Sequence, residues 1–309
     1  MQEKEAVLQQ VEKAFRTAAF VTSERSDVKP SCFDLVTRKG RERLIVKISP
    51  SITSIKKNYT TELKIIAQNL QATPLIIACR AERDKLIEDA VYTRHGLQVV
   101  TTETLKNVVL HKQYPIIEVK QGGAYIKLDG EAIRKKRKEI GLSLRKAASM
   151  IGLSRRTIYA YEKGMAKATV QAALKLEKAL GIPAAVQIDP LRKRWEKRHQ
   201  SSEVERTENR LLNTVLAKFL ELGLQAVATK RAPFNFIASD GRKTQIIGGI
   251  VEKLEEGTRR RVRITASIAE TLKCRSLFIT VGEREITEAI AAISCREFLK
   301  IDEPEELTL

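Results

Sequence analysis

The sequence predicts a multidomain α/β chain, with a central all-α segment of four to five helices between two copies of one α/β module, each with a mixed sheet. Three observations carry this expectation. Residues 33–47 (FDLVTRKGRERLIVK) and 234–248 (FNFIASDGRKTQIIG) align at one constant offset: Phe33 on Phe234, Gly40 on Gly241, Ile45 on Ile246. Residues 129–183 instead carry apolar side chains at helical spacing, punctuated by glycines. The length, 309 residues, is enough for two or three domains.

The elements follow in order. The first module, residues 1–112, opens with an amphipathic helix (AVLQQVEKAFRTA, 6–18). The strand–Gly turn–strand pattern of 33–47 reads as a β-hairpin. A helix (TELKIIAQNL, 61–70), a buried-looking strand (PLIIAC, 74–79) and a strand-plus-helix segment (GLQVVTTETLKNVV, 96–109) complete it. Residues 113–128 form a connector in which Gly122 and Gly123 sit between two alternating runs, a second hairpin signal. The helical domain spans 129–190. Residues 191–208 are a basic, polar linker in which Arg192, Lys193, Arg194, Lys197 and Arg198 are placed to meet a polyanion and Trp195 could anchor the tail. The second module, 209–309, repeats the pattern: RLLNTVLAKFLELG (210–223), the hairpin, VRITASIAETL (262–272), SLFITVG (276–282) and EFLKIDEPEEL (297–307). The shared order is αββαβ with a further helix and strand.

Charge narrows the partners. The formal net charge is +18, and residues 129–200 carry 18 Lys and Arg against 7 Asp and Glu. The excess is concentrated on the helical segment and its tail, as expected for binding a polyanion. No apolar run is long enough to span a bilayer and the N-terminus lacks a signal-peptide core, so a cytoplasmic protein without a membrane partner is expected. Cys32, Cys79, Cys274 and Cys295 are scattered, with no C-x-x-C pair and no nearby histidine cluster. Neither structural zinc nor a disulfide framework is expected, and the thiols read as small buried hydrophobes. No Gly-rich phosphate loop or Walker motif is present, so no cofactor or metal is indicated.

The most informative segment is LSLRKAASMIGLSRRTIYAYEKG (142–164). It spells two short amphipathic helices joined at Gly152, where a Cβ would be strained. Ser154 is placed to cap the second helix, which opens with Arg155 and Arg156. Ala148, Ile151, Leu153, Ile158, Tyr161 and, on the following helix, Leu174 are expected in the core, and Glu162 in a structural pairing with a basic neighbour. A basic helix closed by Gly141 precedes the segment, and a helix ended by Gly181 and Pro183 follows it.

Residues 129–183 resemble the helix-turn-helix domain of the Cro/C1-type (XRE) repressors, on the run LS…AA…IGLSRRTIYAYEKG…LKLEKALGI. Leu144 stands where that family often has a phosphate-contacting Gln. With its flanking modules, the whole chain is similar to a group of archaeal HTH-type transcriptional regulators. The resemblance implies a sequence-specific regulator whose second helix enters the major groove of double-stranded DNA. It implies base contacts by Arg155, Arg156, Tyr159 and Ala160. Phosphate contacts fall to Arg145, Lys146, Ser154, Thr157, Lys163 and Lys167. One helix-turn-helix reads few base pairs, so a homodimer is expected, with the α/β modules as its natural interface; an effector ligand is not indicated either way.

The module order resembles the restriction-endonuclease-like and Holliday-junction-resolvase fold. That fold implies a metal site: an acid ending one hairpin strand, an acid-x-Lys triplet on the next, and a helix Glu. Asp34, Lys47 and Glu12 occupy matching positions in the first copy, but the triplet reads Ile45-Val46-Lys47, so its acid is missing. In the second copy, Asn235 and Gly248 stand at the positions of Asp34 and Lys47 at constant offset. The first copy is thus read as a pseudo-nuclease with vestigial positions and no catalytic residues, and the second as more degenerate. A nuclease targeted by the helix-turn-helix is the alternative.

Overall fold

The computed structural model describes residues 2–82, 84–120, 122–192, 207–241, 244–253, 255–281 and 292–307. They form two compact units. One joins Met1–Ile76 with Leu191–Leu309; the other is Ile77–Pro190. Residues 77–112, expected with the first module, therefore fall in the compact unit that also holds the central helices.

The first unit contains α1 (Gln2–Thr17), β1 (Val21–Thr22), β2 (Leu35–Lys39), β3 (Glu42–Ser51), α2 (Lys57–Asn69) and the opening residues of β4 (Thr73–Ala81). Along α1 the buried residues Leu8, Val11, Glu12 and Phe15 recur at three- and four-residue spacing, which turns one stripe of the helix onto β3. Strands β1, β2 and β3 pair antiparallel in that order. Both hairpin strands bury apolar side chains heavily, with Leu35, Val36, Leu44, Ile45 and Val46 inaccessible to solvent.

The second unit contains the rest of β4, then β5 (Asp84–Lys85), β6 (Ala90–Arg94), β7 (Leu97–Val100), α3 (Thr102–His111), β8 (Ile117–Lys120) and β9 (Gly123–Ile126). It continues with α4 (Gly130–Glu139), α5 (Leu144–Ile151), α6 (Arg155–Glu162), β10 (Ala168–Thr169) and α7 (Val170–Leu180). The connector is the hairpin β8–β9. It pairs on one side with β6 and on the other with β10, so the four helices are tied into a ribbon rather than hung from a loose linker. Gly122 and Gly123, at φ 102° and 140°, make its turn. The helical core gathers Ile126, Ile133, Ala148, Ile151, Ile158, Tyr161, Leu176 and Leu180. Leu174 is not part of it and stands 60 % exposed. The inward face of α7 is set by Ala172, Ala173, Leu176 and Leu180, and residue 174 lies about 200° from Leu176 around the helix, on the far side.

Within the first unit, the second module comprises α8 (Arg210–Glu221), β11 (Gln225–Ala228), β12 (Phe236–Ser239), β13 (Gln245–Val251), α9 (Glu256–Leu272), β14 (Arg275–Thr280), β15 (Ala292–Ser294) and α10 (Cys295–Phe298), followed by a 3-10 turn (Pro304–Leu307). The strand order β11-β12-β13-β14-β15 is antiparallel through β13 and parallel beyond it, with α9 as the crossover. Phe219 packs against Phe236 and Phe298 at its centre. The sequence pattern did not single out β1 and β11, both short runs set before the hairpin, nor β5, β6 and β15, and the strand expected within 297–307 is α10 and the 3-10 turn instead.

The structure corrects the hairpin alignment beyond the turn. Leu35 pairs with Val46, whereas Phe236 pairs with Gly248, because the second turn is one residue longer. The counterpart of Lys47 is therefore Gly249, not Gly248. The longer turn shifts every later residue by one, which a constant-offset comparison misses.

The two modules pack on each other inside one chain, and they do so reciprocally. Helix α2 lies against β12, and α9 against β2. Phe33 and Phe234, which open the two hairpins, meet with ring centroids 6.3 Å apart. A hairpin side chain caps the C-terminal carbonyls of each opposing helix: Gln245 Nε2 donates to Asn69 O (3.1 Å) and Arg38 Nε to Thr271 O (2.6 Å). The electrostatics are reversed between the two halves. On one side Glu62 of α2 accepts hydrogen bonds from the amides of Lys230 and Arg231 and from the Arg231 guanidinium. On the other, Arg260 and Arg263 of α9 pair with Asp27 and Glu24. These faces of the two modules are thus used against each other within one chain.

Candidate nucleic-acid interface

The central unit presents one exposed basic edge. Ser143 caps α5 by accepting from Lys146 N, and Gly152 at φ 74° turns the chain. Ser154 then caps α6 by accepting from Thr157 N (3.0 Å), so α6 begins at Arg155. Arg155 and Arg156 are exposed on its first turn, and Tyr159 is exposed one turn further on, with Ala160 half-buried beside it. Arg145 and Lys146 are exposed at the start of α5. The two hydroxyls of Ser154 and Thr157 share one hydrogen bond (2.8 Å), which leaves one hydroxyl proton between them for an outside acceptor. Lys163 lies over the Tyr159 ring, 6.0 Å from its centroid. Lys167 is exposed but its ammonium is taken by Glu118 of β8, a competing partner absent from any reading of the helices alone.

What holds this edge in place is an ion pair beneath it. Arg137 of α4 donates through Nε to Glu162 Oε1 (2.5 Å) and through Nη2 to Oε2 (3.0 Å), and through Nη1 to Leu142 O (2.7 Å). Each of the two residues is 8 % exposed. The hydrogen bonds to Glu162 raise the Arg137 pKa above its ordinary value, against the opposing effect of burial. The structural pairing expected for Glu162 is therefore with Arg137. The same junction is tight at Gly130, where a Cβ would lie 2.5 Å from the carbonyl oxygens of Tyr161 and Glu162. Helix α4 thus fixes the far end of α6, and the cap fixes the near end.

The vestigial nuclease positions of the first module also come together, but as ion pairs with basic side chains. Buried Asp34 receives Lys4 Nζ (2.5 Å), Lys47 Nζ (3.3 Å) and the amide of Ile48 (2.7 Å). Glu12 is held by a two-pronged pairing with Arg25, at 2.7 and 2.8 Å. The position of the missing acid is the buried Ile45. These residues do not fit a divalent cation: one carboxylate already faces two ammonium groups and the other is committed to a guanidinium. Among the described residues no group of three His, Cys, Asp or Glu could hold a metal. Lys4 was missed by sequence reasoning, although Lys4, Leu8 and Glu12 share one helical stripe at four-residue spacing, which was the available signal. In the second module Asn235 Oδ1 accepts from Ile250 N (3.3 Å), as Asp34 does from Ile48, and a Cβ on Gly249 would lie 2.7 Å from that same oxygen.

Fold and site together define a helix-turn-helix protein joined to a nuclease-like module. Two family models match in those places: a PD-(D/E)XK superfamily domain over residues 4–115 and a helix-turn-helix over residues 133–187. Over 275 residues the chain is 32 % identical to a protein of Archaeoglobus fulgidus named as an HTH-type transcriptional regulatory protein, covering 89 % of this chain and 86 % of that one. A likewise named protein of Pyrococcus furiosus is 31 % identical over 292 residues, covering 94 % and 91 %. Among solved structures, the restriction-modification controller protein C.AhdI from Aeromonas hydrophila matches 17 % of this chain and 80 % of its own, at 34 % identity and a TM-score of 0.17. The chain belongs to the archaeal family of HTH-type transcriptional regulatory proteins. Among the described residues no helix is long and apolar enough to cross a membrane. Of the basic tail, Arg192 is described and pairs with Glu42. Lys193, Arg194, Trp195, Lys197 and Arg198 lie outside the described residues.

Proposed function

We propose that this protein is a cytoplasmic transcriptional regulator that binds double-stranded DNA in a sequence-specific manner, with α6 in the major groove. The observation that carries this reading is the exposed first turn of α6, where Arg155 and Arg156 stand free on a helix fixed at both ends. Arginine forms two hydrogen bonds to guanine O6 and N7, worth about 1–3 kcal/mol of discrimination. Arg155, Arg156, Tyr159 and Ala160 are assigned to base edges, Ala160 against a thymine methyl. Arg145, Lys146, Ser154, Thr157, Lys163 and Lys167 are assigned to phosphates, with Lys167 first having to exchange Glu118 for the backbone. Genome-wide mapping of bound sites supplies the operator. Arg156→Ala should then relax preference at one base position; unchanged preference in both Arg155→Ala and Arg156→Ala contradicts the groove assignment.

The protein acts as a homodimer in this reading, since one helix-turn-helix covers too few base pairs and operator half-sites repeat about every 34 Å. The α2, β2, α9 and β12 faces of the modules meet within the chain, so the interface between copies is assigned to the remaining surfaces of the modules. A symmetric operator footprint and a dimer by light scattering support it; a monomer that binds one half-site contradicts it. The modules act as scaffold rather than catalyst, supported by the pairing of Asp34 with two lysines. Magnesium-dependent cleavage of DNA that is lost in Asp34→Ala would favour the nuclease reading instead.

A further inference from the structure

The degenerate nuclease position opens into a cleft of about 970 Å³ between α1 and the β2–β3 hairpin, bordered by Lys4, Arg25, Lys29, Asp34, Lys47 and Tyr59. Its charges are unevenly matched. Arg25 is satisfied by Glu5 and Glu12, and Asp27 by Arg260. Asp34 alone faces both Lys4 and Lys47. One negative charge is shared between two ammonium groups in a partly desolvated place, where an uncompensated charge is costly.

We propose that this cleft is a metal-free phosphate site that takes a small phosphorylated ligand of about nucleotide size. A phosphate beside Lys4 and Lys47 supplies the missing negative charge through charge-assisted hydrogen bonds. The volume lies at the upper end of the range of small-molecule sites, about 300–1,000 Å³, so the phosphate would arrive with an organic group attached. Tyr59, whose ring also meets the Arg231 guanidinium 5.2 Å from its centroid, borders the cleft on that side. Burial lowers the Lys47 pKa, while Asp34 pulls it up and the neighbouring Lys4 charge pushes it down. The site occurs in one module alone, because Asn235 and Gly249 replace the Asp and Lys in the other, and a Cβ at 249 has no room. A pocket confined to one module suits a small ligand better than a duplex running across both. The inference does not depend on DNA binding by α6.

The discriminating variant is Asp34→Asn. Asparagine keeps an oxygen for the Ile48 amide, as Asn235 does for Ile250 in the sister module, so the fold should survive. It removes the carboxylate that competes with phosphate for Lys4 and Lys47. The full-length protein is titrated with inorganic phosphate and with adenosine monophosphate in the presence of a chelator, by calorimetry and thermal unfolding. Saturable binding of at least one probe is expected, tightened in Asp34→Asn and weakened at least about tenfold in Lys47→Met, as for loss of one charged hydrogen bond. A divalent-metal site predicts the opposite for Asp34→Asn. No saturable binding of either probe, weaker binding in Asp34→Asn, or a strict need for magnesium each overturns the proposal. The duplex-DNA affinity of Lys47→Met separates the sources: unchanged affinity supports a small ligand. A loss of DNA affinity without binding of either probe assigns the phosphate to the DNA backbone and overturns it.

Discussion

Replacing Glu162 by Gln should cost the helical domain about 3–5 kcal/mol, the usual penalty for removing one partner of a buried ion pair. The size follows from the geometry. Arg137 makes two hydrogen bonds to the carboxylate and one to Leu142 O, and neither side chain has much access to water. Gln fits the space but removes the charge, and turns an N–H group toward the guanidinium. The guanidinium stays charged at any practical pH, so the charge cannot be shed. Against a typical folding stability of about 5–15 kcal/mol this is a large share. It lowers the melting temperature by upward of roughly 10 °C. The assay is calorimetry, combined with hydrogen exchange of peptides from α4 to α6 to place the loss in the right unit. The double variant Arg137→Met with Glu162→Met tests the cause. Two well-packed apolar residues replace the pair, leaving chiefly the unmet Leu142 carbonyl, at about 1–3 kcal/mol. Most of the stability should return. A cost below about 1 kcal/mol for Glu162→Gln, or a double variant no better than the single, contradicts the account. DNA affinity, measured well below the transition, should change much less than stability.

Four other perturbations are informative. Lys163→Ala should weaken binding to all DNA sequences and lower the salt slope by about one, whereas Lys167→Ala should do less, because Glu118 already holds that ammonium; salt titrations of both variants decide it. Gly248→Ala should unfold the second module, since its Cβ would lie 1.7 Å from Leu277 O, a backbone atom that cannot yield, and this reads out as loss of the cooperative transition. Glu62→Ala should loosen the pairing of the modules by leaving the Lys230 and Arg231 amides without their acceptor, seen as faster hydrogen exchange in residues 229–235 with α6 unaffected. Burial, with the nearby Glu62 charge, pushes the Cys32 thiol well above its ordinary range. The folded thiol keeps its proton where the unfolded thiol, near 9.0, loses it. Stability should therefore fall as pH rises above that value, and Cys32→Ala should flatten the fall in an unfolding series. Alkylation of Cys32 in the native protein at neutral pH contradicts its burial.

The helix-turn-helix was legible because its determinants are local. Caps such as Ser143 and Ser154, the left-handed Gly152 and the spacing of Ala148, Ile151 and Ile158 act within a few residues of one another, so the pattern can be read along the chain. The hairpins of the two modules were legible for the same reason, up to the turn, where one extra residue in the second copy moved Gly249 into the place of Lys47. Leu174 was misplaced because a run rich in apolar residues does not say which side of α7 is covered. Only the packing of Ala173 and Leu176 decides that. The partners of charged groups were out of reach altogether: Arg137 with Glu162, Lys167 with Glu118, and the two lysines on Asp34 join residues 13 to 49 positions apart. The same holds for the reciprocal docking of the modules, where helices and loops about 170 to 240 residues apart exchange opposite charges. Local hydrogen bonding and periodicity are written in consecutive residues and so were determined by sequence alone. Long-range electrostatic pairing depends on which surfaces the chain brings together, and that was decided by the tertiary structure.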